Sequence, residues 1–243
     1  ALVASGLIIL CVLVFALREI LALRRLAQLD DLRNAATDAL AESNAEAASQ
    51  ITKRLERLYS GRTDLAKARS EIGSHDGDLL SAGVRLELVE RALFKELDAR
   101  AKRLVTQSAS RVAVVTAVSP RALVDIGYVL FENMRLIRAL AELYGGRPGF
   151  LGSARLASSV VGHLAMTGSI ALGDSILQQV VGTGIATKMS ARLGEGVVNG
   201  ILTARIGISA MDLCRPMPFA VLKRPRIADF INPLTALSSS KSN

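Results

Sequence analysis

The chain opens on seventeen residues, ALVASGLIILCVLVFAL at Ala1–Leu17, that carry no charge and a single polar side chain, Ser5. A bilayer core about 30 Å thick calls for about 17–25 apolar residues in a helix, so this run sits at the short limit of a transmembrane helix. It stops abruptly at Arg18 and Glu19. No basic segment precedes it, and no small-residue cleavage site leading into a polar start ends it, which favours an anchor over a cleaved signal peptide. Arg18, Arg24 and Arg25 fall within the window where Lys and Arg set orientation, so residues from 18 onward are expected on the cytoplasmic side. The first residue is not Met and lies inside the apolar run, so a further segment is expected to precede it. If that segment is also cytoplasmic, an additional membrane helix completes a hairpin.

Beyond the anchor the chain divides by charge density. Between Arg18 and Arg111 there are 17 basic and 15 acidic residues, and from Val112 to the end 13 basic and 7 acidic. The net charge of +8 is therefore concentrated in the second part, which has about half the charge density of the first. Half of the chain is hydrophobic but only 4% is aromatic, so its apolar mass is Ala, Leu, Val and Ile, the composition of a helix-former. A mean hydropathy of +0.35 argues against disorder.

Helical periodicity runs through the charged part. Leu26, Leu29, Leu32, Ala36 and Leu40 mark a narrow stripe that Ile51, Leu55 and Leu58 resume, which predicts a coiled-coil-like hairpin or a bundle edge. Ser60-Gly61 is expected to end that helix and Thr63 to cap the next; GSHDG at Gly73–Gly77 breaks the chain again. A third helix is expected from about Asp78 toward Ser119, and Pro120 restarts the chain in a helix extending to about Leu143. That last helix has an apolar stripe (Leu123, Ile126, Leu130, Met134, Ile137, Ala141) opposite Arg121, Asp125, Glu132, Arg135 and Glu142, which predicts an amphipathic helix.

In the second part, Leu156–Gly173 is uncharged over a spanning length, and Gly196–Met211 is apolar apart from Arg205. If the first alone crossed, Lys188, Arg192, Arg215, Lys223, Arg224 and Arg226 would lie outside, against the positive-inside bias. Either neither crosses or both enter as a pair, and a packed helical hairpin against or partly in the bilayer is the favoured expectation. Gly196, Gly200 and Ala204 recur every four residues and predict a close helix–helix contact. Asp174 and Arg205 are charges in apolar segments: they pair with each other, or they snorkel at helix ends.

No catalytic constellation is legible. Cys11 and Cys214 and the two histidines, His75 and His163, have no ligand-like spacing, so neither a metal nor a cofactor is expected. Tyr144–Gly149 (YGGRPG) comes after a helix rather than a strand and lacks the Lys-[Ser/Thr] of a phosphate loop, so it reads as a turn. Gly194-Glu195-Gly196 lacks the third glycine and the βαβ context of a dinucleotide fingerprint. Lys223, Arg224 and Arg226 have no interleaved aromatics, and lipid head groups rather than nucleic acid are their expected partner. Exposed loops and charged helix ends are the usual places for partner contacts. On that ground Tyr144, Gly145, Gly146, Arg147, Pro148 and Gly149, with Thr203, Arg205, Asp212 and Arg215, are the candidate functional surface; turn geometry and helix packing are the alternative.

YSGR at Tyr59–Arg62, RVAVVTAVSPRALVDI at Arg111–Ile126, the ELYGGRPG turn and GEGVVNGILTARIGISAMDLCRPMPF at Gly194–Phe219 occur in order. Together they resemble the YcjF-type family of bacterial inner-membrane proteins over nearly the whole chain. The resemblance implies a multi-pass protein with an N-terminal helix pair, and an association with a YcjX-type P-loop nucleotide triphosphatase in envelope stress. It supplies no chemistry of its own.

The expectation is an all-α, non-enzymatic inner-membrane scaffold or receptor that self-associates, with most of the chain cytoplasmic. It comprises an anchor at 1–17, a charged helical region at 18–111, an apolar membrane-associated helical domain at 112–230 and a tail at 231–243. A membrane-remodelling or pore-like oligomer of the C-terminal helices is the alternative.

Overall fold

The computed structural model describes residues 2–75, 80–119, 122–171 and 191–230. Every described element is helical, so the chain is all-α. In chain order these are α1 (Leu2–Ala41), α2 (Ala45–Leu58), a 3-10 turn at Thr63–Leu65, α3 (Ala66–Gly73) and α4 (Ala82–Val89), then a π-helical turn at Glu90–Phe94 leading into α5 (Lys95–Val118). The last three are α6 (Ala122–Leu143), α7 (Phe150–Ala171) and α8 (Ala191–Cys214). The tail at 231–243 and Asp174 lie outside the described residues.

The chain forms two compact units that interleave in sequence. Unit 1 takes residues 1–98, 141–155 and 213–223; unit 2 takes 99–140, 156–212 and 224–243. The regions expected at 18–111 and 112–230 are thus each divided between the units.

Unit 1 is built on the hairpin of α1 and α2. Ala22, Leu29 and Ala36 repeat every seven residues and are buried, as are Leu32 and Ala39, so the seam of α1 obeys the heptad rule of coiled coils. The seam passes through Ala39 rather than the expected Leu40, which is half-buried. Ser43 takes a left-handed backbone (φ 53°) to turn the chain, and the Asn44 side chain caps α2 by accepting the Ala47 N–H at 3.0 Å. α2 buries Ala48, Ile51 and Leu55 against α1 and α4. The expected cap at Thr63 is not formed: Thr63 begins the 3-10 turn, and Arg62 before it makes no side-chain cap bond. Arg62 instead donates to the Leu143 carbonyl at 2.6 Å and pairs with Asp64 at 2.6 Å. The expected third helix starts at Ala82, capped by the Ser81 hydroxyl.

Unit 2 packs small side chains. α5 buries Ala101, Val105, Ala109 and Val112, and α8 lies antiparallel along it: a β-carbon at Gly196 would overlap the Ala113 carbonyl oxygen, and one at Gly207 would lie 2.6 Å from Val105 Cγ2. Ala204 and Gly200 on the same side of α8 are buried, so the four-residue repeat lies inside this contact. Among the described residues one segment is long and apolar enough to cross a membrane, Gly194–Cys214, with mean hydropathy 1.3 and 61% of its window buried in the fold.

The first half of α6 reverses the facing usual for an amphipathic helix. Ile126, Leu130 and Met134 are exposed at 58%, 63% and 37%, as is Phe131, whereas Asp125, Glu132 and Asn133 are buried. Leu123 lies outside the described side chains. Only Ile137 and Ala141, farther along the stripe, reach the interior. The reversal has a local cause. The Glu132 carboxylate is drawn inward by Arg111, whose Nε and Nη2 donate to it at 2.9 and 2.5 Å, and by Arg135 at 3.2 Å, while Ser108 takes another Arg111 proton at 2.9 Å. A buried carboxylate is tolerated only with such partners.

Candidate functional site

Two of the segments singled out in the sequence meet in unit 1. Tyr144 and Arg215 both reach Asp98. Neither is on the surface: Tyr144 is fully buried and Arg215 is 1% exposed, which corrects the expectation of an exposed loop and an exposed helix end.

The centre of this site is the Arg215 guanidinium. It lies one residue beyond the end of α8, where the helix has released the chain and the side chain can turn inward. Nε donates to Asp98 Oδ1 at 3.2 Å and Nη2 to Asp98 Oδ2 at 3.2 Å and to Glu90 Oε1 at 3.0 Å. Nη1 donates to the carbonyls of Met217 and Pro218, each at 2.6 Å. Two aromatic rings lie against it, with the guanidinium carbon 4.5 Å from the Phe94 centroid and 4.1 Å from that of Phe219. Such stacking on a planar, delocalised cation is a property of Arg that Lys does not share.

The carboxylates are positioned by the π-helical turn. Glu90 and Phe94 bound this turn and Asp98 follows four residues on, and the four-residue spacing sets all three on the side that faces Arg215. Glu90, fully buried, also accepts the backbone N–H groups of Ala220 at 3.3 Å, Val221 at 2.9 Å and Leu222 at 3.3 Å. The chain after Arg215 is therefore folded around one carboxylate and one guanidinium. Tyr144 donates its hydroxyl to Asp98 Oδ1 at 2.7 Å, and Tyr59 donates to the Tyr144 carbonyl at 3.0 Å. Tyr59 packs edge-on to Phe94, and Tyr144 stacks on it.

Burial dominates the ionisation of these groups. It raises the Asp98 carboxyl above the ordinary range, against the opposing pull of Arg215 and of the Tyr144 hydrogen bond. Desolvation likewise raises both phenols, Tyr59 and Tyr144. Two acids, one cation and two tyrosines with their hydrogen-bonding capacity turned on one another make a structural clasp. The Arg215 nitrogens are all engaged by protein acceptors.

The rest of the Tyr144–Gly149 turn is held to α1. Gly145 takes a left-handed backbone (φ 99°), and its α-carbon faces Leu58; Gly146 packs on Leu26. A β-carbon at Gly149 would overlap Glu19 Oε2. Glu19, only two residues past the apolar run and 6% exposed, accepts the Phe150 N–H at 3.1 Å and the Gly152 N–H at 2.8 Å, so it caps α7 with a carboxylate. Pro148 is buried, and Arg147 is the turn residue that projects outward.

Of the remaining candidates Thr203, Arg205, Asp212, Arg224 and Arg226 lie in unit 2, and Lys223 is the last residue of unit 1. Thr203 and Arg205 are buried on α8, and Thr203 Oγ1 and Arg205 Nε have no hydrogen-bond partner among the described residues, as is true of Asp125 Oδ1 and Asn133 Oδ1 on α6. Asp212 accepts Arg224 in a bidentate pair, with Nε at 2.9 Å from Oδ1 and Nη2 closing on Oδ2; this contact raises the Arg224 pKa. Arg224 is thereby engaged, while Lys223 and Arg226 are exposed beside it. Glu90, Asp98, Tyr59 and Glu19 were not among the candidates read from the sequence. The signal for Glu19 is its place immediately beyond the apolar run, and Tyr59 opens the YSGR motif just after α2; Glu90 and Asp98 sit in helices dense with charge, where nothing distinguishes them.

A family model described as a domain of unknown function, DUF697, matches residues 80–240. The chain is 52% identical over 234 residues to a UPF0283 membrane protein of Rhizobium meliloti (strain 1021), an overlap of 96% of this chain and 65% of the relative. It is 53% identical over 219 residues to a UPF0283 membrane protein of Sinorhizobium medicae (strain WSM419), covering 90% of this chain and 61% of the relative. Over 226 residues it is 50% identical to a UPF0283 membrane protein of Brucella ovis, covering 93% and 63%. The chain thus spans just under two thirds of the length of these relatives. No solved structure matches it.

Proposed function

The chain belongs to the DUF697 family, with close relatives that are membrane proteins, and from that premise we propose that it is a non-enzymatic membrane scaffold. Within that reading it lies in the bacterial inner membrane with its bulk in the cytoplasm, self-associates, and is of the YcjF type. Its partner is a YcjX-type P-loop nucleotide triphosphatase that supplies the chemistry in envelope stress.

The observation that carries this reading is the reversed half of α6. Ile126, Leu130, Phe131 and Met134 face outward while Asp125, Glu132 and Asn133 are turned in. A helix with its polar side buried and its apolar side exposed is adapted to contact lipid or another protein. The Glu19 cap adds mechanical sense. It fastens α7 to α1 immediately beyond the apolar run, so an anchor in the membrane holds unit 1 rigidly rather than by a flexible tether. The clasp around Arg215 has its polar groups spent on the fold, as a structural element requires.

Affinity purification of the solubilised full chain after cross-linking in membranes tests the scaffold reading. Recovery of a second copy together with a nucleotide triphosphatase is expected; recovery of neither refutes it. The pore-like alternative draws on the polar atoms of Thr203, Arg205, Asp125 and Asn133 that have no partner among the described residues, which an oligomer could satisfy around a polar axis. Labelling of Val160→Cys and Arg205→Cys by a membrane-impermeant thiol reagent applied from the periplasmic side would favour it, and full protection would exclude a crossing pair.

A further inference from the structure

A concave groove of about 560 Å3 lies between α2 and α3 in unit 1, lined by Lys53, Glu56, Arg57 and Ser60 on one side and by Ala66, Arg69 and Ser70 on the other. The helical repeat explains the gathering. Positions 53, 56/57 and 60 share one face of α2 and its end, and 66 and 69/70 share one face of α3. Three cations therefore converge on one hollow with a single carboxylate, a local charge of about +2 by the ordinary charges of these side chains.

What sets the groove apart is Arg69, whose Nε is buried, beside two further cations that no carboxylate neutralises. Arg33, Arg62 and Arg91 are paired with nearby carboxylates. Lys53, Arg57 and Arg69 make no ion pair among the described residues, and Arg69 Nε is buried without a hydrogen-bond acceptor. A buried N–H donor left unsatisfied is costly, and a bound anion would supply what it lacks. Three positive groups with the Ser70 hydroxyl beside them suit the oxygen-rich, multiply charged surface of linked phosphates. The hollow is shallow and open to solvent, so a ligand there would be held by charge and hydrogen bonds rather than by enclosure. No aromatic side chain lines the groove, so there is no platform on which a base would stack.

We propose that this groove is a binding site for a soluble polyphosphate anion, recognised through its phosphate chain by Lys53, Arg57 and Arg69. A soluble anion is favoured over a lipid head group by position. Leu58 at the end of α2 meets Gly145, and the adjacent Gly146 meets Leu26. Leu26 lies eight residues beyond Arg18, about 12 Å along a helix at 1.5 Å per residue, whereas each head-group layer is about 5–8 Å deep. The choice of a soluble anion over a head group rests on the membrane-anchor reading of residues 1–17, whereas the gathering of cations in the groove does not.

Calorimetric titration of the full chain in neutral detergent with sodium tripolyphosphate tests it. One saturable site per chain is expected, weakening with added salt. Arg69→Gln should weaken binding about tenfold, as the loss of one charge-assisted contact does, and Lys53→Gln/Arg57→Gln should weaken it further. Arg54→Gln, one residue away on α2 and outside the groove, should leave it unchanged. Absence of saturable binding, an Arg69→Gln variant equal to the parent, or an equal loss in Arg54→Gln would overturn the assignment. The titration is repeated in nanodiscs with and without phosphatidylglycerol. Affinity equal within about twofold supports a soluble ligand; loss of tripolyphosphate binding only in the anionic discs would assign the groove to head groups and refute the proposal.

Discussion

Replacing Arg215 by Met would test whether the buried clasp is held together by charge. The substitution keeps an unbranched apolar stem against Phe94 and Phe219 but removes the cation that faces Glu90 and Asp98. Both carboxylates are buried, so they would be left facing each other without a cation, Glu90 keeping its backbone N–H donors and Asp98 the Tyr144 hydroxyl. The carbonyls of Met217 and Pro218 would also lose their donor. Removing one partner of a buried ion pair costs about 3–5 kcal/mol, a large share of the 5–15 kcal/mol, roughly, that holds a domain folded. With a urea dependence of about 2–3 kcal/mol per molar, the unfolding midpoint of the solubilised chain, monitored by circular dichroism, should fall by about 1–2 M. Arg215→Lys keeps the charge but not the planar fork or its stacking, and should lie between parent and Met. The triple variant Glu90→Gln/Asp98→Asn/Arg215→Met retains acceptors for the Val221 N–H and the Tyr144 hydroxyl while removing every charge, and should recover most of the loss. A midpoint shift below about 0.5 M in Arg215→Met, or a triple variant no more stable than the single one, would refute the reasoning.

Asp98 makes a pH prediction: its folded-state pKa is raised above the unfolded value, so the folded chain binds its proton more readily and this group's contribution to stability grows as pH falls through the raised pKa. The stability of the parent relative to Asp98→Asn should therefore increase on acidification from neutral pH, measured by denaturation at a series of pH values; a flat difference would contradict the raised pKa. Glu19→Ala removes the cap on α7 and should cost about 0.5–2 kcal/mol. Gly149→Ala should cost a similar amount by expelling the same carboxylate, and the double variant should show much less than the sum in the same denaturation assay. At the membrane surface, Lys223→Gln and Arg226→Gln should each reduce attraction to anionic lipid by about 1 kcal/mol. Arg224→Gln should do less, because Asp212 already engages it; quenching of a fluorophore near position 222 by phosphatidylglycerol nanodiscs reports the order.

The helical class and much of the seams of α1 and α2 were legible in the sequence because they depend on spacing within one segment. A heptad of apolar residues such as Ala22, Leu29 and Ala36 buries one side of a helix whatever the partner is. The close approach at Gly196, Gly200 and Ala204 was readable for the same reason, since a four-residue repeat of small side chains lowers one face. The facing of α6 was not. Its period was correct, but which side turns inward depended on Arg111, twenty-one residues away in the chain, supplying a partner for Glu132. The site residues divide in the same way. Tyr144 and Arg215 could be singled out, one in a turn and one after a long apolar helix, yet both were expected outside. Only the tertiary structure brings Glu90, Asp98 and two aromatic rings around the guanidinium, and that company makes burial of a charge tolerable. Periodicity records what a residue needs from its own helix; whether a charge lies inside depends on partners distant in sequence, whose positions only the folded chain decides.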